Sequence, residues 1–185
     1  MIIAVMSDTH GNDNLVRKAV RTCKQRGVER IIHCGDIGQG TTVELFREIP
    51  TNFVFGNCDG EYTRRVFRDL IPSCNGTLHD EEFGSLNLQD IPIAFTHGCN
   101  QRVLDDLIDS CDWRLVCSGH IHELQCENRV YRNPEDESDP QNGHITTHLV
   151  PGSLFQPRGE KRFLGFCLVY LPEMRFEAIS LIGKE

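Results

Sequence analysis

Hydrophobic residues follow two rhythms along this chain. Short unbroken apolar runs rich in Val, Ile and Phe read as buried strands, and apolar residues spaced three and four apart read as one face of a helix. The run "IIAVMSD" is a strand of the first kind. The stretch after it, "NDNLVRKAVRTCKQRG", places Leu15, Val16, Ala19, Val20 and Cys23 on one helical face and stops at Gly27. The alternation continues with a strand in "VERIIHCGD", a helix in "TTVELFREI", a strand in "TNFVFGNCD" and a helix in "EYTRRVFRDL". Two strands in "SLNLQDIPIAFTHG", a helix in "QRVLDDLIDSC" and a strand in "WRLVCSGH" complete it. Strands alternating with helices predict an α/β domain with mostly parallel strands in its first half.

Beyond His122 the rhythm changes. Residues 127–143, "ENRVYRNPEDESDPQNG", are polar, acidic and turn-rich. They read as an extended solvated loop or hairpin tip rather than an active-site lid, although longer than an ordinary connection. Three strands follow, in "HITTHLVPG", "RFLGFCLVYL" and "MRFEAISLI", so the end is expected to be antiparallel.

Length and composition narrow the picture. A chain of 185 residues with 39% hydrophobic content suits a single domain covering residues 1–185. The opening apolar run has no basic leader, and no segment reaches membrane-spanning length, which leads us to expect a cytoplasmic protein with no membrane partner. The nine cysteines contain no CxxC pair, and most sit in apolar runs, where a free thiol behaves as a small hydrophobe. A net charge of −8 argues against nonspecific binding of nucleic acid, which needs Lys and Arg to replace counterions.

The chemistry lies where the strands end. Five separate apolar runs finish on groups able to bind metal: Asp8 and His10, Asp36, Asn57, His97, and His120 and His122. Any one of them alone is an ordinary cap, turn former or loop residue. Together they are two carboxylates, an amide and four imidazoles, and the carboxyl ends of strands in an α/β sheet are where ligands bind. Seven ligands with one shared carboxylate suit two cations with open positions for water and substrate. Mixed nitrogen and oxygen donors suit Mn, Fe, Ni or Zn over Ca or Mg, and of these Mn is the cofactor expected first, with Ni, Fe or Zn as alternatives. The glycines of "CGDIGQG" do not form a phosphate loop, because the spacing is wrong, no lysine follows and Asp36 would repel phosphate.

The blocks "DTH", "GD", "GNCD", "HG" and "GHIH", in that order, resemble those of the calcineurin-like metallophosphoesterases. The "SDTHGN" opening and the "PGS" at Pro151 to Ser153 resemble in particular the small YfcE-like phosphodiesterases. The resemblance implies a four-layer α-β-β-α sandwich of two mixed β-sheets flanked by helices. It implies one metal held by Asp8, His10 and His122, another by Asn57, His97 and His120, and Asp36 bridging them. It also implies attack on a small phosphodiester by a bridging hydroxide, with a homo-oligomer compatible with the family.

Two departures qualify the likeness. Many relatives carry His directly after the metal-binding Asn, whereas this chain carries Cys58, a poorer proton donor. Substrates with good leaving groups, or ones whose leaving oxygen reaches Asp59 or water, are therefore expected to be preferred. Asp36, Asn57, His97, Cys58 and Asp59 are the candidate catalytic residues, and Arg158 is a candidate phosphate contact. The acidic segment 127–143 is longer than the hairpin of the small relatives. A phosphomonoesterase or nucleotidase, and a non-catalytic scaffold like the small retromer subunit, are the competing readings.

Overall fold

β1 (Ile2–Met6) is apolar throughout because it is flanked on both sides, by β2 (Arg30–His33) in parallel and by β10 (Gly165–Tyr170) in antiparallel register. In this computed structural model, which describes residues 1–159 and 162–182, β3 (Thr51–Val54) and β4 (Gly76–His79) extend the parallel side. β11 (Arg175–Ser180) closes the other edge, giving the order β11-β10-β1-β2-β3-β4. The second sheet is built from β5 (Phe83–Leu88), β6 (Ile91–Thr96), β7 (Leu115–Cys117), β8 (Leu124–Val130) and β9 (Ile145–Pro151). Its order is β5-β6-β7-β9-β8, parallel in the middle and antiparallel at both edges.

Side-chain alternation sorts each strand between two cores. Ile3 and Val5 point to the second sheet and pack with Ile93, Phe95, Leu115 and Leu149. Ala4 and Met6 point the other way, to the helices α1 (Asp13–Gln25), α2 (Gly40–Glu44) and α3 (Glu61–Ser73), through Val16, Ala19, Val43 and Phe67. Leu104 and Leu107 of α4 (Gln101–Asp109) cover Ala94 and Val116 on the far side of the second sheet. The outcome is the four-layer sandwich of two mixed sheets that the resemblance implied. Asn12 starts α1 by accepting from the Leu15 N–H, and Gly27, at φ 68°, follows its end in the left-handed conformation that only glycine adopts freely.

Two strands go beyond the sequence reading, β4 and β8. β8 takes in residues 127–130 of the polar segment and pairs along its full length with β9. The rest of that segment forms the tip, where Tyr131 exchanges backbone hydrogen bonds with Gly143 and His144. Asn133, Asp136 and Asp139 make side-chain turns there. No helix among the described residues is long and apolar enough to cross a membrane.

Candidate active site

β1, β2 and β3 of the first sheet carry the loops with Asp8 and His10, with Asp36 and with Asn57; β6 and β7 of the second carry His97 and the pair His120 and His122. The ligand set therefore comes from the facing ends of two sheets, not from the edge of one. Five of these residues adopt left-handed backbone: Asp8 at φ 54°, His10 at 42°, Asp36 at 56°, His120 at 69° and His122 at 61°. Non-glycine residues held there cost about 1–3 kcal/mol each, and such strain gathers at functional sites. Backbone bonds from Asp8 N to Gly35 O (3.1 Å) and from His10 N to Asp36 O (2.9 Å) tie the first two loops together. Gly56 and Gly119 allow close approach, since a Cβ on either would run into the carboxylate of Asp36 or the side chains of Ser7 and Asp8.

The polar atoms meet lone pair to lone pair. His122 Nδ1 lies 2.6 Å from the Gln156 carbonyl and His97 Nδ1 lies 2.8 Å from that of Cys34. A carbonyl only accepts, so both Nδ1 atoms carry the proton and a neutral ring turns its Nε2 lone pair inward. His122 Nε2 then faces Asp8 Oδ1 at 3.1 Å and His10 Nε2 at 3.4 Å. His97 Nε2 faces Asn57 Oδ1 at 3.0 Å and Asp36 Oδ2 at 3.4 Å. Asp8 Oδ1 is buried with no hydrogen-bond donor. Facing acceptors repel unless a proton or a cation lies between them, and a buried orphan oxygen is costly on its own.

These residues fit divalent cations. The ligand atoms of Asp8, His10 and His122 lie within 4.8 Å of one another, and so do those of Asp8, Asp36 and His97. Asp36 stands in the middle, its Oδ2 3.5 Å from His10 Nε2 and 3.4 Å from His97 Nε2. The His120 ring packs edge-on to His97 at 5.1 Å, and its backbone N–H donates to Asp8 Oδ2. Carbonyls stand behind His97 and His122, and among the described residues no side chain or carbonyl bonds the His120 ring. Where a proton lies between His122 and Asp8, burial raises the Asp8 carboxyl, but hydrogen bonds from a protonated His122 and from Ser7 outweigh it and hold the group below its usual value. The bond to Asp8 pushes His122 up, while burial and the neighbouring His97 push His120 down.

Asp59 is placed away from the ligands. Its Oδ2 accepts from the N–H groups of Gly56 (2.8 Å) and Asp36 (3.0 Å), and its Oδ1 from those of Ile37 (3.0 Å) and Gly38 (3.2 Å). Burial pushes its carboxyl up, against the pull of those amides. Arg64 clamps the other side of the turn, donating to the carbonyls of Asp59 and Gly56. Cys58 lies at the site and is exposed; its N–H donates to Asp36 Oδ1 at 2.8 Å. Partial desolvation and the Asp36 carboxylate push its thiol up to about 11. Arg158 is exposed, its N–H bonds the His122 carbonyl, and its charge acts on both His120 and His122. Sequence reasoning missed Phe155, which is 43% exposed and lies 5.1 Å from the His10 ring, although the adjoining "PGS" block marked the segment.

Of the four histidines outside the blocks, His33 has a defined job. Its Nδ1 accepts from Gly35 N, its Nε2 lies 3.0 Å from Thr9 Oγ1, and Phe46 and Phe53 flank it. It is fully buried, and burial pushes its pKa down to about 4. Because the folded state binds this proton less well than the unfolded one, its contribution is complete above the ordinary value near 6.5. That contribution is lost as pH falls from there toward about 4, at up to roughly 1.4 kcal/mol per pH unit. His79, His120 and His148 titrate in the same sense, and His122 in the opposite one. An NMR titration of the metal-free protein is expected to find His33 still neutral well below its ordinary value, with a midpoint near about 4; a midpoint near the ordinary value would remove the assignment.

Comparison with known proteins adds the context. The family description "Calcineurin-like phosphoesterase superfamily domain" matches residues 1–174. Phosphodiesterase MJ0936 of Methanocaldococcus jannaschii is 33% identical over 138 residues, covering 74% of this chain and 79% of that protein. The structure of a novel archaeal phosphodiesterase superposes with TM-score 0.74 at 25% identity, over 98% of this chain and all (100%) of that one. Yfce, a phosphoesterase from E. coli, shares the fold at TM-score 0.63 and 19% identity, covering 98% and 100% of the two chains.

Proposed function

The chain belongs to the calcineurin-like phosphoesterase superfamily, and from that premise we propose that it hydrolyses small phosphodiesters with two divalent cations, manganese first among them. The observation that carries this reading is Asp36, whose Oδ2 is set between the imidazoles of His10 and His97. Asp8, His10 and His122 would hold one cation, Asn57, His97 and His120 the other, and Asp36 both. Bound there, the cations would supply a hydroxide nucleophile near neutral pH and offset the charge on the phosphate oxygens.

The chain's own groups do the rest. The carbonyls of Cys34 and Gln156 fix the tautomers and orientations of His97 and His122. Asp59 holds the Asp36 loop as a positioning residue. Its carboxylate is spent on backbone amides, so the leaving oxygen takes its proton from water or from the weak donor Cys58. Arg158 is suited to a phosphate oxygen of the substrate. A cavity of about 300 Å³ beside His97, lined by Phe55, Arg64, Glu81, Glu82 and Asn100, is of a size for the substituent of a small diester. Nine free thiols are in keeping with a reducing, cytoplasmic setting.

The test is to strip the protein of metal, add back Mn, Ni, Zn or Mg singly, and compare bis(p-nitrophenyl) phosphate with p-nitrophenyl phosphate. Diester hydrolysis is expected to return with manganese and to exceed monoester hydrolysis. Faster monoester turnover would make the enzyme a phosphomonoesterase, and no retained metal with no hydrolysis would leave a scaffold on this fold.

A further inference from the structure

Cys58 brings soft donor chemistry to a site otherwise made of nitrogen and oxygen. Its Sγ, a ring nitrogen of His10 and a carboxylate oxygen of Asp36 lie within 4.8 Å of one another, close enough to share one ion. The arrangement is held in place: the Cys58 N–H donates to Asp36 Oδ1 at 2.8 Å, and the Asn57 amide reaches Sγ at 3.5 Å. A second observation points to the same volume. Asp8 Oδ1, whose residue is 0% exposed, has no hydrogen-bond donor while His122 is neutral, and lies 3.1 Å from His122 Nε2 and 3.9 Å from His10 Nε2. His10 belongs both to this group and to the one it forms with Asp8 and His122, so a cation that satisfies Asp8 Oδ1 there would lie beside Cys58.

We propose that Cys58 is a further metal ligand, whose sulfur joins His10 and Asp36 on the ion that Asp8 and His122 also hold whenever that ion is thiophilic. This rests on the dinuclear reading above and deepens it. As the sulfur–metal bond forms, the S–H bond gives its proton to solvent and no electrons change hands. Hard ions such as manganese and magnesium leave the thiol protonated, whereas zinc, cobalt and cadmium take the thiolate. Sulfur then fills a coordination position that is otherwise open. Cys58 thereby grades cations, holding thiophilic ones tightly at the expense of turnover.

Cobalt reports directly on sulfur ligation, independently of activity. The metal-free full chain and its Cys58→Ser variant are loaded with cobalt, and bound metal is counted while the near-ultraviolet spectrum is recorded. The wild-type chain is expected to show a sulfur-to-cobalt charge-transfer band that Cys58→Ser lacks, with both chains holding two ions and melting alike. Bound cobalt without the band, or a band that persists in Cys58→Ser, overturns the ligand assignment and leaves the dinuclear reading standing. A wild-type chain that retains no cobalt sinks the dinuclear reading and this proposal together.

Discussion

Asp36→Ala is expected to abolish diester hydrolysis, by more than the roughly 100-fold that removal of an outer partner of a metal ligand costs. Asp36 is 2% exposed and stands between the imidazoles of two separate ligand groups, so its loss weakens both at once. It also leaves His10 and His97 with no negative charge between them. The substitution lies in a loop beyond β2 rather than within either apolar core, and the fold is expected to persist. Metal analysis and turnover of bis(p-nitrophenyl) phosphate check both halves: the variant should retain fewer than two ions and melt cooperatively. A variant that retains two ions and the full rate would refute Asp36 as the shared ligand.

Asp59→Ala is expected to have the second largest effect, through stability and metal affinity instead of proton transfer. Four backbone N–H groups converge on this carboxylate, which is 1% exposed. Leaving a buried donor unsatisfied costs about 1–3 kcal/mol. Even two such losses lower Tm visibly, because each kcal/mol is worth roughly 2–4 °C in a chain of this size. The loop they fix carries Asp36, so manganese affinity should fall by about 10–100-fold. Asp59→Asn, which keeps one acceptor oxygen and turns an NH2 toward the remaining donors, should fall between the two. Were Asp59 the proton donor to the leaving group, Asp59→Asn would lower kcat and leave Tm and manganese affinity unchanged; that result would remove the positioning role.

The alternation of strands and helices and the candidate ligands were legible in the sequence for one physical reason, while the sandwich itself came from the family resemblance. A strand buried on both faces must be apolar, so Asp8, Asp36, Asn57, His97 and His120 stand out where each run stops. β4 and β8 were not legible because both lie at a sheet edge, β4 with no residue fully buried and β8 with its second half exposed. Asp59 looks in sequence like any carboxylate beside a ligand. Only the fold shows that amides from the Asp36 loop and from Gly56 surround it. The partners that orient His97 and His122 are main-chain carbonyls, which every residue possesses and no composition marks. That the ligands belong to two sheets was hidden as well, since nothing local to a strand says which neighbours it takes.

The position of β1 reaches into how the molecule is made. This strand, which leads into the first ligands, is covered on one edge by β2 but on the other by β10, whose register joins Ile2 to Tyr170. In a chain made from its N-terminus, β2 is available to pair with β1 long before β10 exists. Pairing across so long a stretch of chain is intrinsically slow, because the loop must close before the contacts form. Until residues 165–170 emerge, β1 keeps one open edge beside Asp8 and His10, although every candidate ligand, the last of them His122, has already been made. The candidate site is therefore expected to become rigid only once β10 docks, well after its own last residue has been made.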